Sequence, residues 1–229
     1  MSTLQPLLLA GGRSSRMGRR KELLPLVHDI PIYMHLLRTL QLACPQSPIV
    51  YLSLRSRDCL PDIQNDPRVT EVSPDMLSIE IDGSSTLVQV IYDRPNGDTL
   101  DTENDMGPAG GLLAAHRFDP QATWLVVACD YPFLSVSDLH HLQQEMAGPV
   151  TCFQNADGFC EPLLGIWSPE AMHVLDQNVR KGDCGPKSVV RQCSGKTIRP
   201  RDDRCLFNMN TPADLDMVLK LKDGLDSGM

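Results

Sequence analysis

The chain has 229 residues, of which 41% are hydrophobic and 22% charged, and a formal net charge of −8. That length suits one large α/β domain with a full core, spanning residues 1–229, and is short for two. The acidic balance argues against a general affinity for nucleic acid backbone, and no apolar run approaches the length that crosses a membrane.

The opening residues, Met1-Ser2-Thr3-Leu4-Gln5-Pro6, lack the charged region of a signal peptide. Leu7-Leu8-Leu9-Ala10 then reads as a short buried strand that runs straight into Gly11 and Gly12. Residues 13–21 follow with four arginines and a lysine (Arg13, Arg16, Arg19, Arg20 and Lys21), a cationic cluster on an acidic background. Glycines let a backbone approach a ligand and present bare N–H groups, so a strand, two glycines and a basic loop make a site for several phosphates. A basic surface loop is the plainer alternative. The spacing is neither G-x-G-x-x-G nor G-x-x-x-x-G-K-[ST], because the glycines fall at Gly11, Gly12 and Gly18 and Lys21 is followed by Glu22.

Residues 31–44 carry Ile32, Leu36, Leu37, Leu40 and Ala43 at helical spacing, and residues 49–52 read as a second strand. Over residues 58–87 no period is sustained and Pro61, Pro67, Pro74 and Gly83 interrupt the chain, so a short helix and irregular backbone are expected. A strand over 87–92 ends at Asp93, and the acidic stretch to Asp105 reads as a long solvated loop. Gly107-Pro108-Ala109-Gly110-Gly111 opens a helix over 112–117. Residues 124–128 form the clearest buried strand and lead into Cys129-Asp130-Tyr131-Pro132-Phe133. Ser137 is a candidate N-cap for a helix over 138–146. Strands are expected at 149–153, 162–167 and 197–198, and helices at 169–179 and 187–193. The last helix, 213–222, has Thr211 as N-cap, Pro212 at its first position and Asp214 in its first turn.

Strands alternating with helices predict a three-layer α/β fold with a mostly parallel, Rossmann-like sheet. Ligands in such folds sit outside the carboxyl ends of the strands, where the strand order reverses. Residues 10–21, 93–111 and 129–132 each follow a predicted strand, so one site gathers all three. Asp130 lies just beyond an apolar strand, where an ionised carboxylate is costly without a cation or hydrogen bonds. Across a crevice from a phosphate loop it suits Mg²⁺, which takes one or two carboxylates plus substrate phosphates. The alternative is a cap for the helix that follows. The eight cysteines show no C-x-x-C spacing, which favours a reduced, cytoplasmic protein over a zinc site.

Leu9-Ala10-Gly11-Gly12, Arg16-Met17-Gly18 and Lys21 resemble the L-A-G-G-x-x-x-R-M-G…K signature of nucleotidyltransferases with the MobA-like fold. Val127-Ala128-Cys129-Asp130-Tyr131-Pro132-Phe133 resembles that family's CD-x-PF metal-binding turn, and Phe207-Asn208-Met209-Asn210-Thr211-Pro212 its N-x-N-T-P segment. Gly107 and Gly111 match its GP-x-x-G loop, and Asp93 an upstream aspartate credited with nucleotide contact. The resemblance implies transfer of a nucleoside monophosphate from an NTP to a phosphorylated acceptor with loss of pyrophosphate, and most closely guanylyl transfer from GTP to molybdopterin. It implies nucleotide contacts at Leu9, Ala10, Gly11, Gly12, Lys21, Asp93, Gly107, Gly111 and Asp130, catalytic roles for Arg16, Lys21 and Asp130, Mg²⁺ on Asp130, and acceptor contacts at Asn208 and Asn210. On the residues alone, Asn210 and the 107–111 glycines also suit helix-start turns, and Asp93 a solvated acid.

Three departures bear on the base rather than the reaction. Arg20 stands before Lys21, where Asp or Pro is commoner, and the compact R-M-G-x-x-K spacing is closer to cytidylyl-transferring relatives. Leu52-Ser53-Leu54-Arg55 lacks the asparagine of guanylyltransferases, and the 93–105 stretch is long. Cytidylyl or sugar-phosphate transfer is therefore the nearest alternative. A nucleotide-binding partner without catalysis would have no need of Arg16, Lys21 and Asp130 together, and an NAD oxidoreductase would need the missing glycine fingerprint.

Overall fold

The computed structural model describes residues 4–12, 20–26, 29–93 and 106–226, with side chains through residue 222 in the last helix. Its strands are Leu4–Leu9 (β1), Val50–Leu54 (β2), Val69–Ser73 (β3), Met76–Ile81 (β4), Ser84–Tyr92 (β5), Thr123–Ala128 (β6), Val150–Gln154 (β7), Cys160–Trp167 (β8) and Lys196–Ile198 (β9). Its helices are Ile32–Ala43 (α1), Leu60–Gln64 (α2), Pro108–Phe118 (α3), Val136–Gln144 (α4), Pro169–Arg180 (α5), Pro186–Gln192 (α6) and Pro212–Asp226 (α7). No helix among the described residues is long and apolar enough to cross a membrane.

The strands form one nine-stranded sheet in the order β3-β4-β5-β2-β1-β6-β8-β7-β9. β4 and β8 run against the other seven, so the sheet is mostly but not purely parallel. β1 sits between β2 and β6, with Leu7 in register with Tyr51 on one side and Val126 on the other. A strand buried on both faces reads as a continuous apolar run, and β1 and β6 obey that rule. Leu8, Leu125 and Val127 face the layer of α1, α4 and α7, while Leu7, Leu9, Trp124 and Val126 face that of α3, α5 and α6. In α1 the predicted stripe Ile32, Leu36, Leu37, Leu40 and Ala43 is buried.

Residues 58–87 depart from expectation. They hold α2 as predicted, but also β3, β4 and the start of β5, which form an antiparallel meander at the sheet edge. Leu77, Ile79 and Ile81 point inward between Ser78 and Glu80, an alternation of period two. Asp82 (φ 51°) and Gly83 (φ 70°) then turn the chain into β5; positive φ at both central residues is the pattern of a two-residue hairpin turn. The prolines obscured a sheet signal only six residues long.

Two helix starts also move. α3 begins at Pro108, four residues before the predicted 112, with Gly107 (φ 53°, ψ −139°) in a backbone conformation suited to glycine. α4 is capped by Ser135 rather than Ser137: the Ser135 hydroxyl accepts from the Asp138 N–H while the Asp138 carboxylate accepts from the Ser135 N–H. The acidic stretch over 94–105 lies outside the described residues.

Candidate active site

The carboxyl ends of the adjacent parallel strands β5, β2, β1 and β6 are stitched flush by backbone hydrogen bonds. Ala10 N–H donates to Ser53 O (2.9 Å), Asp93 N–H to Leu54 O (2.9 Å) and Cys129 N–H to Leu9 O (3.0 Å). The first residues of the three predicted segments thus meet at one edge, where the strand order reverses between β1 and β6.

On the β1–β2–β5 side the carboxylate of Asp93 is wedged against glycine. Ser53 Oγ donates to Asp93 Oδ1 at 2.5 Å. A Cβ on Gly11 would lie 2.5 Å from Asp93 Oδ2, and one on Gly111 would lie 2.8 Å from both Leu9 Cδ2 and Ser53 Oγ. These two glycines let the β1 end and α3 close on Asp93. Gly12 differs, since nothing among the described residues lies within 4 Å of its Cβ position. Asp93 is therefore held by the packed edge and is only partly exposed. Ser53, buried in an apolar strand, was not singled out by sequence reasoning; a hydroxyl inside Leu52-Ser53-Leu54 was the available signal.

On the β6 side the elements are charges and amides. Met209 N–H donates to Asp130 O (2.8 Å), laying residues 208–210 along the end of β6. Lys21 Nζ donates to Asn210 Oδ1 (2.6 Å) and lies 3.8 Å from Asp130 Oδ2. Asn210 Nδ2 donates to Asn208 Oδ1 (2.6 Å), and Asn208 lies beside the Asp130 carboxylate, favouring its charged form. Asp214 Oδ2 accepts from the Asn210 and Thr211 N–H groups (2.8 and 2.7 Å), and Thr211 Oγ1 from Asp214 N–H (3.2 Å). Asn210 thus belongs to the helix-start turn and also touches Lys21.

Asp130 is the most telling of these residues. Its side chain is 21% exposed, and burial raises its pKa against the opposing pull of Lys21 and Asn208. It does not cap α4, whose cap is Ser135. Its Oδ1 is buried with no hydrogen-bond partner among the described residues. A buried carboxylate oxygen without a donor is expensive, and a cation there removes the expense. No group of three or more His, Cys, Asp or Glu side chains able to hold a metal occurs among the described residues. A single carboxylate of this kind suits Mg²⁺, which takes one or two protein carboxylates together with water and phosphate oxygens. Arg16 lies in residues 13–19, outside the described residues.

Residues 6–197 match the family described as the MobA-like NTP transferase domain. The chain is 27% identical over 218 residues to the molybdenum cofactor biosynthesis bifunctional protein of Synechocystis sp.. That alignment covers 94% of this chain and 53% of that protein, so the chain spans about half its length. It is 26% identical over 209 residues to the molybdenum cofactor guanylyltransferase of Pseudomonas putida, covering 90% of this chain and 92% of that one. The solved structure of molybdopterin-guanine dinucleotide biosynthesis protein A from Archaeoglobus fulgidus shares the fold, with a TM-score of 0.68 over 96% of this chain and 100% of that one at 16% identity. The matched family stretch takes in Lys21, Asp93 and Asp130 and stops short of Asn208 and Asn210.

Proposed function

Since this chain belongs to the MobA-like NTP transferase family, we propose that it is a nucleotidyltransferase that moves GMP from GTP to the phosphate of molybdopterin. The observation that carries this reading is Asp130 at the carboxyl edge of the sheet, one oxygen facing Lys21 and the other buried without a hydrogen-bond partner among the described residues.

An oxygen of the acceptor phosphate attacks the α-phosphorus in line. A new P–O bond forms, the bond to the β-phosphate bridging oxygen breaks, and pyrophosphate leaves with that electron pair. Such a reaction asks the protein mainly for positioning and charge. Lys21, with Arg16 and the Gly11 and Gly12 amides, meets the negative charge that grows on the leaving group. Arg16 offers a planar bidentate donor and Lys21 a compact charge. Leu9, Ala10, Asp93 and Gly107 line the nucleotide, and Gly111 serves it by letting α3 close on Asp93. Asn208 and Asn210 hold the acceptor beside Asp130. Asp130 fits Mg²⁺, which when bound supplies Lewis-acid charge at the α-phosphate. One nine-stranded sheet runs through the described residues, which supports reading residues 1–229 as a single domain. All eight cysteines are unpaired, which supports residence in the reducing cytoplasm.

Pyrophosphate release on mixing the protein with GTP, Mg²⁺ and molybdopterin tests the reaction. Calorimetric titration tests the base. Guanine carries N–H donors and an O6 acceptor, and each such group left unsatisfied in a site built for it costs about 1–3 kcal/mol. GTP is therefore expected to bind at least about ten-fold more tightly than CTP. Equal affinities, or CTP the tighter, move the reading to cytidylyl transfer, which the compact Arg16-Met17-Gly18-Arg19-Arg20-Lys21 spacing favours.

A further inference from the structure

Lys21 opens a short 3-10 turn, Lys21–Leu23, between two residues of opposite charge. Arg20 Nε and Nη2 each lie 2.6 Å from Glu22 Oε1. Arg20 Nη1 donates to Cys59 O (2.9 Å) and Asp62 Oδ2 (2.6 Å), at the start of α2. The Glu22 side chain is 2% exposed and that of Arg20 23%. The turn is closed by Leu23 N–H to Arg20 O (3.2 Å) and Leu24 N–H to Lys21 O (3.0 Å), and Ile32 N–H then donates to Leu24 O (3.0 Å). The backbone at Lys21 is therefore tied to α2 on one side and to α1 on the other.

A buried ion pair is a poor source of stability, because desolvation cancels most of its attraction and an apolar pair of similar size does as well. What it supplies is one definite geometry. Lys21 needs that, since a lysine ammonium rides on a flexible four-carbon stem and here must reach Asn210 and Asp130 together. On the functional reading given above, we propose that Arg20 and Glu22 are positioning residues, a buried clasp onto α2 that aims Lys21 at the transferring phosphates. Neither touches substrate. Both act through Lys21, and Arg20, the departure at this position, is matched by the carboxylate two residues on.

The pair variant R20M/E22L removes both charges together, so that neither is left buried alone as it would be in Arg20→Ala. Its kcat for pyrophosphate release at saturating GTP is expected to fall about ten- to hundred-fold, the loss that follows from misplacing a catalytic group by about an ångström, with a smaller change in KM. Added to Lys21→Ala, the pair change should cost nothing further, because its effect runs through Lys21. Asp62→Asn, at the exposed end of the clasp, should lower kcat less and in the same direction. Hydrogen exchange gives a readout that needs no reaction: the Leu23 and Leu24 amides should exchange faster in R20M/E22L and at the wild-type rate in Lys21→Ala. Unchanged exchange, an unchanged kcat in R20M/E22L, or a full further loss in the Lys21→Ala background overturns the clasp. Should the wild type release no pyrophosphate from any NTP, the guanylyl reading falls, and the exchange result still decides whether the clasp holds Lys21 in place.

Discussion

The two halves of the site are built by different physics. Around Asp93, Gly11 and Gly111 the design is steric: backbone, a serine hydroxyl and a carboxylate pack so tightly that no Cβ fits. Around Asp130 it is electrostatic: Lys21, Asn208, Asn210 and Asp214 form a chain of charged and amide groups that ends at an oxygen without a hydrogen-bond partner among the described residues. Damage to the first half should therefore appear as lost stability, and damage to the second as lost rate.

The sharpest way to break that division is Asp130→Ala. The expected loss is about a hundred-fold or more in kcat, with the melting temperature little changed, because the carboxylate serves charge rather than packing. Near-normal pyrophosphate release at saturating Mg²⁺ would remove the electrostatic half from the chemistry. Next comes Lys21→Ala, for which kcat and kcat/KM should fall together by about ten- to a hundred-fold, since a leaving-group contact strengthens as charge develops. A change in KM alone would make Lys21 a ground-state binder.

The steric half makes the opposite forecast. A methyl on Gly111 would meet Leu9 and Ser53 at 2.8 Å. Overpacking of this kind costs about 1–3 kcal/mol, so Gly111→Ala should lower the melting temperature by several degrees. Gly12→Ala, with nothing among the described residues within 4 Å of the new methyl, should leave stability alone and weaken GTP binding. Equal melting temperatures for the two would show that close approach does not explain Gly111.

The smallest effect is expected under the electrostatic half, at His35 on α1. Burial, and secondarily Lys222 on α7, lowers its pKa from 6.5 to about 4. The unfolded chain then binds the proton more readily than the folded one between those values. Stability should be full above about pH 6.5 and decline as pH falls toward 4, by about 2 kcal/mol. His35→Gln should remove that part of the acid sensitivity, which paired melts at pH 7 and pH 4.5 would reveal.

Much of this was legible in the residues. The doubly buried strands announce themselves as Leu7-Leu8-Leu9 and Trp124-Leu125-Val126-Val127, and Thr211-Pro212 with Asp214 marks the start of α7. Asp130 stood out because a carboxylate beside an apolar strand calls for a partner, and Lys21 because it closes a cationic cluster on an acidic background. The β3–β4 meander did not, because β3 is almost wholly exposed and offers no buried face to reveal it. Nor did the Ser53–Asp93 contact or the Arg20–Glu22–Asp62 clasp, which join residues on separate elements. Local periodicity says which face of an element is buried; it does not say which neighbour arrives there.

The hydrogen bond from Lys21 to Asn210 joins residues 189 apart in sequence. Bringing such distant positions together carries a loop-closure cost that local contacts do not. Lys21 is made soon after β1, whereas residues 208–210 are made only after β9. A nascent chain can thus assemble its sheet while the amide support of Lys21 is still missing. Residues 208–210 and α7 therefore act as a late latch on both the fold and the site: a chain interrupted near residue 200 would lose the amide partner of Lys21 together with the buried Met209 and Val218 that complete the α1–α4–α7 layer.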